Sequence, residues 1–125
     1  MLIDDDEEEL GIFVHALDQI GIPYKCTWAM NGEQALQQLP YLTPDIIFLD
    51  LHMPGMNGLE CLSAIRQLPH LKGTPIILHS SALTDESRKK ARNLGASACL
   101  EKSSNLSALE SILSEFIPAE TVIHS

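Results

Sequence analysis

Short apolar runs alternate with amphipathic helical stripes five times along this chain, and that alternation restricts the fold more than any other feature. The runs are MLI (1–3), YKCTWA (24–29), DIIFL (45–49), PIILH (75–79) and SACLE (97–101), each bounded by turn residues. IIFL and IIL lack the in-out pattern of a half-exposed strand, so they read as parallel strands covered on both faces. Between the runs lie stripes at three- and four-residue spacing. The first is Leu10, Phe13, Val14, Leu17 and Ile20, stopped by Gly21 and Pro23. Asn31-Gly32 leads into Ala35, Leu36 and Leu39, closed by Pro40; Leu59, Leu62, Ile65 and Leu68 are closed by Pro69. Thr84 or Asp85 caps a helix running to Leu94 with Gly95 at its end. Leu106, Leu109, Ile112, Leu113 and Phe116 precede Pro118.

Five β–α repeats with right-handed crossovers dictate a parallel sheet with helices on both faces. The expected class is α/β, an open flavodoxin-like (βα)5 sheet with strand order 2-1-3-4-5. The repeats fill most of the 125 residues without a linker. The chain therefore reads as one domain, 1–125, with a core at about 1–117 and a short tail at 118–125.

Charge and composition remove several function classes. The net charge of −9 argues against direct nucleic-acid binding, which calls for excess Lys and Arg. No apolar run approaches the roughly 20 residues that span a bilayer, and a secretory signal is absent, so the expectation is a cytoplasmic protein off the membrane. Cys26, Cys61 and Cys99 are far apart among apolar neighbours and read as reduced core thiols rather than metal ligands. The charge is uneven: six of the 17 acids lie at 4–9, and four of the eight bases are Arg88, Lys89, Lys90 and Arg92. The basic cluster falls on the fourth helix, as a solvated face or a docking patch for an acidic partner. That helix has the poorest apolar stripe, with Leu83, Ala91 and Leu94 expected to be its buried residues.

Open sheets of this type bind ligands beyond the carboxyl ends of their strands. There the sequence places Asp4 and Asp5 after the first strand, Asp50 after the third, Ser80 and Ser81 after the fourth and Lys102 beside the fifth. Two carboxylates about 4 Å apart repel by roughly 4 kcal/mol at an effective dielectric near 20. Three of them call for shifted pKa values or a hard divalent cation such as Mg²⁺. Such an ion serves phosphoryl transfer, with Lys102 and Ser80 completing a phosphate cradle and a carboxylate as acceptor. Asp6, Glu7, Glu8 and Glu9 are separate: they open the first helix, where the dipole and water favour them.

The ordered set IDD (3–5), LDLHMPGMNGLE (49–60), PIILHSSA (75–82) and GASACLEK (95–102) resembles the receiver domain of two-component response regulators over essentially the whole chain. The spacings fit as well, 30 residues from Asp50 to Ser80 and 22 from Ser80 to Lys102. The resemblance implies Asp50 as phosphoacceptor, Ser80 as switch hydroxyl and Lys102 as the phosphate-contacting lysine. It implies a Mg²⁺ (or Mn²⁺) site from Asp5, Asp4, Asp50 and the backbone carbonyl of His52, with Asp5 the direct ligand and Asp4 acting partly through water. Pro54 and Gly58 match the loop that shapes the acceptor site, Gly58 easing a tight backbone path. Ser81 fills the small-residue slot beside the switch. His79, at the end of strand four, either touches the site or is structural, with the structural role expected, and His15, His70 and His124 are expected to lie at the surface. The implied partners are a histidine kinase or histidine phosphotransfer protein and a downstream protein target. The implied assembly is a monomer or a weak phosphorylation-dependent dimer. The domain consumes its own side chain and is not a conventional enzyme.

Two positions depart from the family pattern. Cys99 stands three residues before the lysine, where receivers carry the Tyr or Phe that relays phosphorylation to the face of helix four, strand five and helix five. Ser103 replaces the usual Pro after the lysine, and a trans Lys102–Ser103 bond is expected because a non-proline cis bond costs about 2.5–4 kcal/mol. These departures leave one competing function, a phosphate-independent interaction domain on the same fold. The intact set of Asp4, Asp5, Asp50, Ser80 and Lys102 argues against it. An aspartyl-phosphate phosphatase is disfavoured because the chain has no spare length for a cap.

Overall fold

A computed structural model describes residues 1–117; the tail at 118–125, His124 included, lies outside the described residues. The elements follow in order: β1 (Leu2–Ile3), α1 (Glu7–Ile20), β2 (Trp28–Ala29), α2 (Gly32–Gln38), β3 (Ile47–Asp50), α3 (Gly58–Arg66), β4 (Ile76–Ser80), α4 (Asp85–Asn93), β5 (Ala98–Glu101) and α5 (Leu106–Phe116). The strands form one sheet in the order β2-β1-β3-β4-β5, with every pairing parallel.

Alternation along each strand sorts the core into two layers. Ile47 and Leu49 of β3 join Ile3, Ile76 and Leu78 beneath α2, α3 and α4, which contribute Ala35, Leu62, Ile65 and Ala91. Phe48 points the other way and meets Leu2, Ile77 and Leu100 under α1 and α5, which supply Phe13, Leu17, Leu109 and Leu113. Both faces of the sheet are therefore dry, which explains why the central runs read as continuously apolar.

Each helix starts where a short polar side chain caps it. Asp6, Asn31, Asn57, Thr84 and Asn105 each accept a hydrogen bond from a first-turn amide. Asp6 is thus the cap of α1 rather than part of its first turn. Asn57–Glu60 and Thr84–Ser87 close reciprocally, side chain to amide in both directions. Gly21 and Gly95, at φ +81° and +106°, turn the chain out of α1 and α4.

Some expected boundaries shift. The run at 24–29 gives only a two-residue strand, because the ladder on that side reaches only as far as Leu2 and Ile3 of β1; Tyr24 and Lys25 are exposed instead. In α4 only Ala91 is buried. Leu83 is partly buried and Leu94 is exposed, so two of the three anchors expected for this helix are weak or missing. Cys61 is fully buried and the other two thiols half-buried, all three unpaired. No peptide bond among the described residues is cis, the Lys102–Ser103 bond included. No described helix is long and apolar enough to cross a membrane.

Candidate functional site

Sheet register brings distant residues to one rim. Ile3 lies opposite Leu49 and Asp50 opposite His79, while Ser80 pairs with Glu101. The residues just past or at these ends are Asp4, Asp50, Ser80 and Lys102, and the Lys102 amide donates to the Ser80 carbonyl at 2.8 Å. Carboxylate oxygens of Asp4, Asp5 and Asp50 all lie within 4.8 Å of one another.

Their surroundings differ. Asp4 is fully buried, and both its carboxylate oxygens are engaged: Oδ1 accepts the Asp6 amide at 2.9 Å and Oδ2 meets Lys102 Nζ at 2.8 Å. Asp5 is exposed. Asp50 is 4 % exposed; its Oδ1 accepts the His52 amide at 3.3 Å and lies 3.5 Å from Lys102 Nζ. Burial, reinforced by the Asp4 charge, pushes the Asp50 carboxyl up to about 6, against the pull of Lys102 and the His52 amide. Burial alone would lower the Lys102 pKa, but the Asp4 hydrogen bond and the charges of Asp50, Asp4 and Glu9 outweigh it and raise it. The lysine is a fixed cation at neutral pH.

Ser80 is fully buried, its Oγ accepting the Ala82 amide at 3.2 Å, and Ser81 is exposed beside it. The His52 side chain points to solvent. Gly58 has no left-handed backbone; what it supplies is space. A Cβ there would collide with the Asp50 carbonyl oxygen and sit 2.7 Å from the Leu51 Cα. The left-handed position of this loop is Gly55, at φ +76°. His15 and His70 are exposed as expected, His70 reaching the Leu39 carbonyl at 2.8 Å.

Two further side chains border the site; His79, at the end of strand four, was legible as a neighbour, and Trp28 was not. Trp28, the only tryptophan, donates its indole N–H to the Asp4 carbonyl at 2.9 Å. His79 is buried under the rim, its ring 6.3 Å from that of Phe13 and 6.1 Å from that of Phe48. Burial and the nearby Lys102 charge push its pKa down to about 4, so it is neutral at physiological pH. Parity along β4 was the available signal, since Ile77 and His79 must share a face.

Comparison with known proteins places this geometry. A family model described as the response regulator receiver domain matches residues 1–114. The chain belongs to that family. The sensory/regulatory protein RpfC of Xanthomonas campestris pv. campestris is 33% identical over 105 residues, covering 82% of this chain. The chain corresponds to 14% of the length of that relative. Among solved structures, the chemotaxis protein CheY4 of Vibrio cholerae superposes with a TM-score of 0.84 at 28% identity, covering 93% of this chain and 95% of its own. The signal receiver domain of a DNA-binding response regulator (merR) from Colwellia psychrerythraea 34H is 31% identical at a TM-score of 0.81, covering 91% and 93%. The receiver fold and its phosphorylation-controlled role in two-component signalling hold for this protein. Receivers typically bind Mg²⁺, and the three-carboxylate cluster offers only hard oxygen donors. Opposite ligands of an octahedral Mg²⁺ are roughly 4.2 Å apart, so oxygens within 4.8 Å fit such an ion after small side-chain movements.

Proposed function

We propose that Asp50 accepts a phosphoryl group from a histidine kinase or histidine phosphotransfer protein, and that the modified domain acts on a downstream protein target. The observation that supports this most is the three-carboxylate cluster, Asp4 and Asp50 buried and Asp5 exposed, with Lys102 meeting the two buried members. An Asp50 oxygen attacks the phosphorus, and the bond to the donor's imidazole nitrogen breaks. With its pKa near 6, Asp50 is ionised and nucleophilic at neutral pH. Lys102 meets an incoming phosphoryl oxygen without leaving its place beside Asp50. Ser80 turns its hydroxyl from the Ala82 amide toward another. A divalent cation, held by Asp5, Asp50 and the His52 carbonyl, would neutralise charge on the transferring group. Asp4 has its oxygens on the Asp6 amide and Lys102, so it would support that cation indirectly rather than as a direct ligand. The reaction consumes the protein's own side chain, so this is a switch rather than a turnover enzyme.

Trp28 reports on this site through the Asp4 carbonyl. Addition of beryllofluoride with Mg²⁺, a mimic of the phosphorylated state, is expected to change Trp28 emission in the wild type. The change is expected to need the cation and to disappear in Asp50→Asn. The same change in Asp50→Asn would rule Asp50 out as the acceptor.

A further inference from the structure

Residues 101 and 102 face opposite sides of the sheet. Leu100 belongs to the layer under α1 and α5, while Cys99 packs against the layer under α2, α3 and α4. By alternation Lys102 follows Leu100, and its ammonium reaches Asp4 and Asp50. Glu101 follows Cys99, and its Oε1 meets Arg88 Nη2 of α4 at 3.3 Å. One peptide bond therefore separates a residue held in the phosphoryl site from a residue tied to α4.

The other connection of α4 starts at the same place. Ser80, opposite Glu101 in the ladder, leads directly into the 81–84 loop, and its hydroxyl holds the Ala82 amide. Beyond these two connections, and Arg66 of α3, whose Nε donates to the Gly95 carbonyl just past the helix at 3.0 Å, α4 is thinly anchored, Ala91 being its sole buried residue and Leu94 exposed. Lys90 is engaged within the helix, 3.0 Å from Glu86. Arg88 is the base of α4 whose ion pair crosses to the sheet.

We propose that the Arg88–Glu101 pair is a strap that makes α4 follow Lys102, carrying the state of Asp50 to the helix-four face. Cys99 has no ring to reorient between β5 and α4, and the strap crosses the same gap with charge. The proposal rests on Asp50 as the acceptor, and the test separates the two. Both partners are about two-fifths exposed, so the strap is an adjustable tether rather than a rigid weld.

Amide exchange over 85–94 is measured in wild type, Arg88→Ala, Glu101→Ala and the charge swap Arg88→Glu/Glu101→Arg, before and after beryllofluoride treatment. In untreated protein, each single change is expected to speed α4 exchange by up to about five-fold, and the swap to restore it. After treatment, wild type and swap are expected to change their α4 exchange, while both single variants carry the adduct without that response. Unchanged α4 exchange in the untreated single variants overturns the strap, whatever happens at Asp50. A wild-type α4 response retained in adducted single variants, or missing from adducted wild type, overturns it as a relay. Failure of the wild type to form an adduct contradicts the acceptor reading, and the untreated comparison still decides whether the strap exists.

Discussion

Asp50 and His79 lie opposite each other in the β3–β4 ladder, and burial shifts their pKa values in opposite directions. Asp50 rises from 3.8 to about 6, so its contribution to stability is present below its unfolded value and lost as pH rises through about 6. His79 falls from 6.5 to about 4, so its contribution is present above its unfolded value and lost as pH falls through about 4. In the wild type the two slopes oppose each other. Thermal melts with chelator present are expected to separate them. The stability gained by Asp50→Asn should grow as pH rises from about 4 to 6, and that gained by His79→Leu should grow as pH falls over the same span. Parallel curves for wild type and Asp50→Asn would show that Asp50 carries no raised pKa. Gly58 gives a second test at this scale. A methyl there meets main chain rather than a flexible side chain, so Gly58→Ala should lower stability by about 1–3 kcal/mol in denaturant melts. Little loss would mean that the loop relaxes freely. The acids and the lysine were legible because their chemistry is written in residue type. The role of Gly58 was not, because close approach of Asp50 and Leu51 is a property of the folded loop.

Helices α3 and α4 are the same length, nine residues each, and both carry capping boxes. They differ in burial: α3 buries Gly58, Cys61, Leu62 and Ile65, whereas α4 buries Ala91. Local opening free energy follows such apolar anchoring, so amides of α4 should exchange faster than those of α3 in native-state hydrogen exchange. Equal protection would contradict the view of α4 as the loosely held element. The poor stripe of α4 was legible in the sequence, yet Leu94 was misplaced. The helix closes at that residue, and the turn through Gly95 leaves its side chain in solvent. Existence and order of all five strands followed from the apolar runs, but extents did not. The edge strand β2 is only as long as the one neighbour that pairs with it, and no run reports its neighbour's length.

At the scale of the molecule, the acidic rim and the basic helix are two ends of one arrangement. The sheet gathers Asp4, Asp5 and Asp50 against Lys102 at the strand ends, and β5 passes from that lysine to the glutamate that holds α4. The (βα)5 plan and the rim were both legible, because repeat order and strand-end position suffice to bring these residues together. The Arg88–Glu101 contact was not, since it depends on the rotation of one helix over the sheet. Phosphoryl transfer at this rim is expected to go to one side chain. Its most direct test is peptide-level mass spectrometry after incubation with acetyl phosphate, with Mg²⁺ and with the cation chelated. The expected result is one phosphoryl group, on Asp50, that forms with Mg²⁺, fails to form without it and is absent from Asp50→Asn. No phosphorylation in the presence of Mg²⁺, or a phosphoryl group on another residue of the wild-type protein, would contradict the account.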